Sequence, residues 1–111
     1  MKTIPALLMA GLVAFSAGSF AEDHAAAALE HAQAAAAKGK AGNSDALVEH
    51  AGMALEHALA GAIVSKGKAK NHLEAASKEL EEAIDHGNLK HADKATEHTQ
   101  AAIEHIKASA K

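Results

Sequence analysis

The sequence predicts an all-α protein: an up-down-up-down antiparallel four-helix bundle built from a duplicated helical hairpin. Three observations predict it. From residue 22 onward, Ala, Leu, Glu and Lys, all strong helix formers, dominate the chain. Gly and Asn recur at intervals and divide that stretch into four helix-length segments. The sequence also matches itself at an offset of 48 residues, 24–60 against 72–108, at 12 of 37 positions without a gap. Ala matches are cheap in such a chain. The pairs His24/His72, Gly39/Gly87, Asp45/Asp93, Glu49/Glu97, His50/His98, Glu56/Glu104 and His57/His105 are not.

Residues 1–21 read as a secretory signal peptide. Lys2 supplies the positive start, and Ile4 to Phe15 is an apolar run shorter than the roughly 18–20 residues of a membrane span. Ser19-Phe20-Ala21 puts small residues where signal peptidase reads, so cleavage is expected after Ala21, with export to the periplasm. The remaining 22–111 form one domain. Its first helix is expected from about Asp23 to Lys38, with Gly39 as a left-handed stop and 38–42 as the loop. The second starts at Asn43 or Ser44, carries Asp45 in its first turn, runs to about Ser65 and stops at Gly67. The third starts at Asn71, with Glu74 completing a capping box, and ends at Gly87. Asn88 caps the fourth, which runs to about Ser109. The hairpins therefore cover about 22–66 and 71–111, and their short loops make neighbours antiparallel.

A heptad frame places Leu29, Leu55, Ile84 and Ile103 at a, and Ala32, Ala58, Leu73, Leu80 and Ile106 at d. Ala28, Leu47, Ala54, Ala76, Ala83 and Ala102 fall at g. The core is thin: seven Leu, four Ile, two Val and one Met stand against twenty-six Ala. Marginal stability follows, unless a ligand or self-association adds to it.

Composition excludes several functions. The full chain has net charge −3 and no Cys, so there is no disulfide and no thiolate site. From Glu22 on there is no Phe, Tyr, Trp or Arg, and ten Lys face fourteen Asp plus Glu. Such a chain has no base-stacking platform and repels phosphate, which excludes nucleic acid. No Ser-His-Asp signature or Gly-rich phosphate loop is present, so the chain does not read as an enzyme. After cleavage nothing in it points to a membrane.

What remains is histidine, one residue in ten after cleavage. His24 and His31 are seven apart, as are His50 and His57, and His91, His98 and His105. His72 and His86 are fourteen apart, with Glu79 midway. Seven residues is two turns, so each helix carries one stripe, and all nine fall at heptad position c, beside g. Two ligands one heptad apart stand roughly 10.5 Å apart along the axis, too far for one ion that needs each nitrogen within about 2 Å. The neighbouring helix must contribute. Folding each hairpin about its glycine loop sets His24 level with His57 and His31 with His50. It likewise sets His72 level with His105, Glu79 with His98, and His86 with His91. The expectation is a ladder of two-ligand rungs. Neutral imidazole suits Cu, Ni and Zn, and without thiolates the affinity order puts Cu(II) ahead of Ni(II) and Zn(II). Weaker candidate ligands are Glu79, Glu82, one turn before His86, and Met53, a soft donor for Cu(I). Seven of the nine His follow an acid, as in Asp23-His24 and Glu56-His57; those acids, at b, are expected to face water.

The stretches Ala-Leu-Glu-His-Ala (28–32 and 54–58), Leu-Val-Glu-His-Ala (47–51), Ala-Thr-Glu-His-Thr (95–99) and Ala-Ile-Glu-His-Ile (102–106) carry a resemblance. The pattern of acid-His at seven-residue spacing, Gly-containing loops, a leader and no Cys resembles the small metal-binding proteins (SmbP-like) of the bacterial periplasm. The resemblance implies a monomeric four-helix bundle that binds several divalent ions, copper foremost, in storage, buffering or tolerance. The chain departs from it in being poorer in His, with Glu at 79 and no His in 38–43. The sequence reading is thus a periplasmic, non-enzymatic copper-buffering or scavenging protein. Its candidate ligands are His24, His31, His50, His57, His72, His86, His91, His98 and His105. The competing reading is a small periplasmic interaction module whose histidines sense pH; protonating all nine would carry the processed chain from −4 towards +5 near their ordinary pKa of about 6.5.

Overall fold

The computed structural model describes residues 20–111. Four helices follow one another: α1 (Phe20–Lys40), α2 (Ser44–Val64), α3 (Gly67–Asn88) and α4 (Ala92–Ser109). Each packs against its neighbours in a closed ring, α1 on α2, α2 on α3, α3 on α4 and α4 on α1, with only slight diagonal contact between α2 and α4. This is the expected antiparallel four-helix bundle. The leader assigned to residues 1–21 falls almost wholly outside the described residues; Ala21 is in the first turn of α1.

Two of the three connections are Schellman turns. After α1, the Asn43 N–H donates to the Lys38 carbonyl at 2.9 Å and the Gly42 N–H to Gly39 at 2.9 Å, with Gly42 at φ +82°. After α3, His91 N–H donates to His86 and Lys90 N–H to Gly87, both at 2.9 Å, with Lys90 at φ +65°. The left-handed residue is therefore Gly42, not Gly39. Gly39 and Gly87 are helical and buried, and serve close approach. A Cβ on Gly39 would stand 2.0 Å from Thr96 Oγ1 and 2.6 Å from Leu47 Cδ1.

The remaining boundaries also shift. Helix α3 begins at Gly67, not Asn71, so the expected capping box does not form; its N-cap is Lys66, which makes no side-chain cap bond. The reason lies at the end of α2. Ser65 Oγ donates to the Gly61 carbonyl at 2.6 Å and Lys70 Nζ to Ala62 at 3.1 Å. These bonds satisfy terminal carbonyls and hold the helix-forming 67–70 segment in the first turn of α3. Asn88 ends α3, and His91, not Asn88, precedes α4. Asn43 does cap α2, its side chain accepting from Ala46 N–H at 3.0 Å.

The core is centred on d and g, with position a contributing less: of its four large residues only Ile103 is buried. The g residues Ala28, Leu47, Ala54, Ala76, Ala83 and Ala102 are fully buried, whereas Leu29, Leu55 and Ile84 at a are partly buried. On a helical wheel c and a flank that d/g arc on opposite sides. Each helix therefore carries imidazole along one edge of its buried face and aliphatic side chains along the other. Besides Thr99, the largest fully buried side chains are only Leu47, Leu73, Leu80 and Ile106. The α1 contribution to the core is Ala and Gly throughout. At ~1.5–3 kcal/mol for each large apolar side chain, this is a small hydrophobic reserve. Thr99 and Ser77 return their hydroxyls to the carbonyls four residues back, at 2.8 and 2.9 Å, and so lie in the core without an orphaned donor.

Candidate metal centre

The seven-residue spacing brings each histidine stripe to the seam between two antiparallel helices. Eight histidines are half-buried and His91, at the α3–α4 turn, is exposed. Most of the acids that precede them, such as Glu30, Glu49 and Glu97, are exposed and face water.

Along the α1/α2 seam, His24 Nδ1 lies 3.2 Å from His57 Nδ1, one nitrogen donating and the other accepting according to tautomer. The His31 ring centroid is 6.0 Å from that of His50 and 5.9 Å from that of His57, the latter pair stacked with planes nearly parallel at 5°. His24, His57, His31 and His50 thus form a four-imidazole chain, with His57 and His31 at its middle. Burial first, then the neighbouring His24 and His31, lowers the His57 pKa from the ordinary 6.5, against a smaller opposing pull from Glu56. The lowering favours the neutral, metal-ligating form of His57.

Along the α3/α4 seam, His72 and His105 repeat the 3.2 Å Nδ1–Nδ1 contact. His98 Nδ1 donates to Glu79 Oε1 at 2.8 Å. That bond fixes the tautomer and leaves the Nε2 lone pair available. His86 stacks on His98 with centroids 5.2 Å apart and planes 7° apart, and lies 6.1 Å from His91. Glu82, His86 and His98 each present a ligand atom within 4.8 Å of the other two. Met53 sits at the surface of α2.

The level pairs expected from the loops do face each other, but they are not isolated rungs. His31 stands midway between His50 and His57, and His86 between His91 and His98. The cause is the tilt of every Cα–Cβ bond towards the helix N-terminus. In antiparallel helices the two stripes tilt in opposite directions, so His31 and His57 lean together, as do His86 and His98. The donors interdigitate like a zipper. This is what brings His98 to Glu82 and His86, a grouping that level pairing alone misses and that the tilt would have supplied.

The donor set fits a metal ion. Among the described residues, Nδ1 of His50 and Nδ1 of His86 are buried and have no hydrogen-bond partner. A buried polar nitrogen left unpaired costs about 1–3 kcal/mol, which a bound cation would offset. Two imidazoles with a carboxylate and water make a tetragonal or tetrahedral N/O set of the kind Cu(II), Ni(II) and Zn(II) accept. Among the described residues, no helix is long and apolar enough to cross a membrane.

Comparison with known proteins agrees with this geometry. The family model described as small metal-binding protein matches residues 1–109. No curated protein matches the chain.

Proposed function

The chain belongs to the small metal-binding protein family, and we propose that it binds divalent transition metals, copper foremost, and buffers or scavenges them in the periplasm. The observation that supports this reading best is the convergence of Glu82, His86 and His98 within 4.8 Å, with His86 Nδ1 buried and unpartnered. On this reading all nine histidines are ligands, and Glu82 adds an oxygen. Glu79 positions His98 rather than ligating, and Met53 is at most an accessory donor. Copper is placed first because an imidazole and carboxylate set without thiolates follows the ordinary affinity order, Cu(II) above Ni(II) and Zn(II). Ions held by open, half-exposed seams exchange readily, which suits buffering rather than catalysis. The processed chain would begin at Glu22 and act as a monomer, without nucleic-acid or membrane partners.

The test is calorimetric titration of the 22–111 chain with Cu(II), Zn(II) and Ni(II) at neutral pH, with thermal melts alongside. Several bound Cu(II) ions and a raised melting temperature are expected. Affinity no better than a high-micromolar background would overturn the reading and leave the histidines as pH-responsive surface groups.

A further inference from the structure

The proposed cleavage after Ala21 creates a metal site of a different kind, and we propose that the new terminus, Glu22-Asp23-His24, is a square-planar chelate for Cu(II) or Ni(II). Its donors are the α-amino nitrogen of Glu22, the backbone amide nitrogens of Asp23 and His24, and Nδ1 of His24. The inference rests on the processing proposed above and does not depend on the seam sites.

With histidine third from a free amine, each successive nitrogen closes a small ring with the one before it, and all four reach one ion in a plane. One residue more or fewer before the histidine breaks the series. Of the metals suited to imidazole, Cu(II) and Ni(II) take planar nitrogen sets, whereas Zn(II) prefers a tetrahedron.

The fold makes those amides available. Helix α1 spans Phe20–Lys40, so in the unprocessed chain the helical register directs the His24 N–H to the Phe20 carbonyl. Cleavage removes Phe20 and Ala21. Residues 22–24 then occupy the first turn, where N–H groups have no intrahelical acceptor. Deprotonating two of them breaks no helical hydrogen bond. Gly61 of α2 packs closely against this turn, where a Cβ would stand 3.3 Å from His24 Cβ, so the first turn is held at the bundle end by the absence of a side chain there. Closing the chelate turns the His24 ring from His57 towards its own backbone. His57, whose Nδ1 is 3.2 Å from His24 Nδ1, is the nearest further nitrogen donor.

Binding balances as proton release. At neutral pH the α-amino group, with an ordinary pKa of about 7.7–8.0, is mostly an ammonium. The incoming M²⁺ displaces one proton from it and one from each of the two amides, all three going to buffer. The neutral imidazole donates a lone pair without losing a proton, and no oxidation state changes.

The experiment is export of the full chain by its own leader, intact-mass confirmation of the terminus, and Cu(II) titration in a glycine buffer that competes for weak sites. Two controls keep every histidine: a chain retaining Ala21, and Asp23→Pro, which removes one amide donor at a first-turn position where proline is tolerated. Against glycine, the processed chain is expected to retain one Cu(II) that neither control retains. That ion should absorb at shorter wavelength than imidazole-bound Cu(II), and buffers of different ionisation enthalpy should register the extra protons. Equal stoichiometry and spectra in all three chains would overturn the site, as would a terminus other than Glu22. Failure of the seam reading would look different: a processed chain that binds this one ion and no other.

Discussion

Replacing Gly39 with Ala should destabilise the bundle relative to the same replacement at Gly52. Both glycines are helical, so each alanine gains about 1 kcal/mol of helix propensity. Around Gly52 there is nothing within 4 Å of the new Cβ, and Gly52→Ala keeps that gain. At Gly39 the Cβ would meet Thr96 Oγ1 at 2.0 Å, Leu47 Cδ1 at 2.6 Å and Thr96 Cβ at 3.2 Å. Leu47 is fully buried, and Thr96 Oγ1 is engaged with the Ala92 carbonyl at 2.7 Å, so neither side chain yields freely. Overpacking of this kind costs ~1–3 kcal/mol. The two variants should therefore separate by about 1–3 kcal/mol, with Gly52→Ala above wild type. In a domain of this size each kcal/mol moves the midpoint by roughly 4–8 °C. Thermal melts of the metal-free variants, followed by circular dichroism, measure it. If Gly39→Ala is as stable as Gly52→Ala, the close approach of α1 to α2 and α4 is wrong, and with it the account of how the seams are held in register.

Three other outcomes are expected. Glu79→Ala should weaken binding at the α3/α4 seam by about 10–100-fold while Glu79→Gln, which keeps a carbonyl acceptor for His98, weakens it less, and the α1/α2 seam should respond to neither in calorimetry. Because His57 has a lowered pKa when folded, the unfolded chain takes up its proton first; the stability it contributes is whole above 6.5 and is lost as pH falls through its lower folded value. Melts in chelator from pH 8 to 5 should show this loss, and His57→Gln should reduce it. Lys90→Gly should stabilise the fold by about 1 kcal/mol by relieving a left-handed lysine, less the few tenths that the exposed Lys90–Asp45 ion pair contributes, as denaturant midpoints would report.

Much of this architecture was legible because local and global signals coincide. Runs of Ala, Leu, Glu and Lys interrupted by Gly and Asn define four helices, and short loops leave antiparallel packing as the simple solution. The offset of 48 residues relates Gly42 to Lys90, the two left-handed residues of the Schellman turns. It also relates His24/His57 to His72/His105, whose contacts are alike. What was not legible depends on packing. Gly39 looks like a stop from sequence, yet it is buried against Thr96 and Leu47, and only the neighbouring helices reveal that. In an alanine-rich helix a and g are hard to rank, because Ala28 carries little apolar signal although it is fully buried, while Leu29 carries much and stays on the flank. The histidine stripes followed from spacing alone. Their interdigitation did not, because level pairing ignores the direction in which helical side chains lean.

The central claim is that the seam imidazoles hold the metal, and it is tested most directly by imidazole-detected NMR, at sub-stoichiometric Cu(II), of the 22–111 chain carrying Asp23→Pro, which lacks the terminal chelate. The paramagnetic ion broadens the resonances nearest to it. The account predicts early loss of the His86 and His98 ring signals, with the other seam histidines following and backbone amides far from the seams retained. Histidine signals that stay sharp while carboxylate neighbourhoods broaden would contradict it.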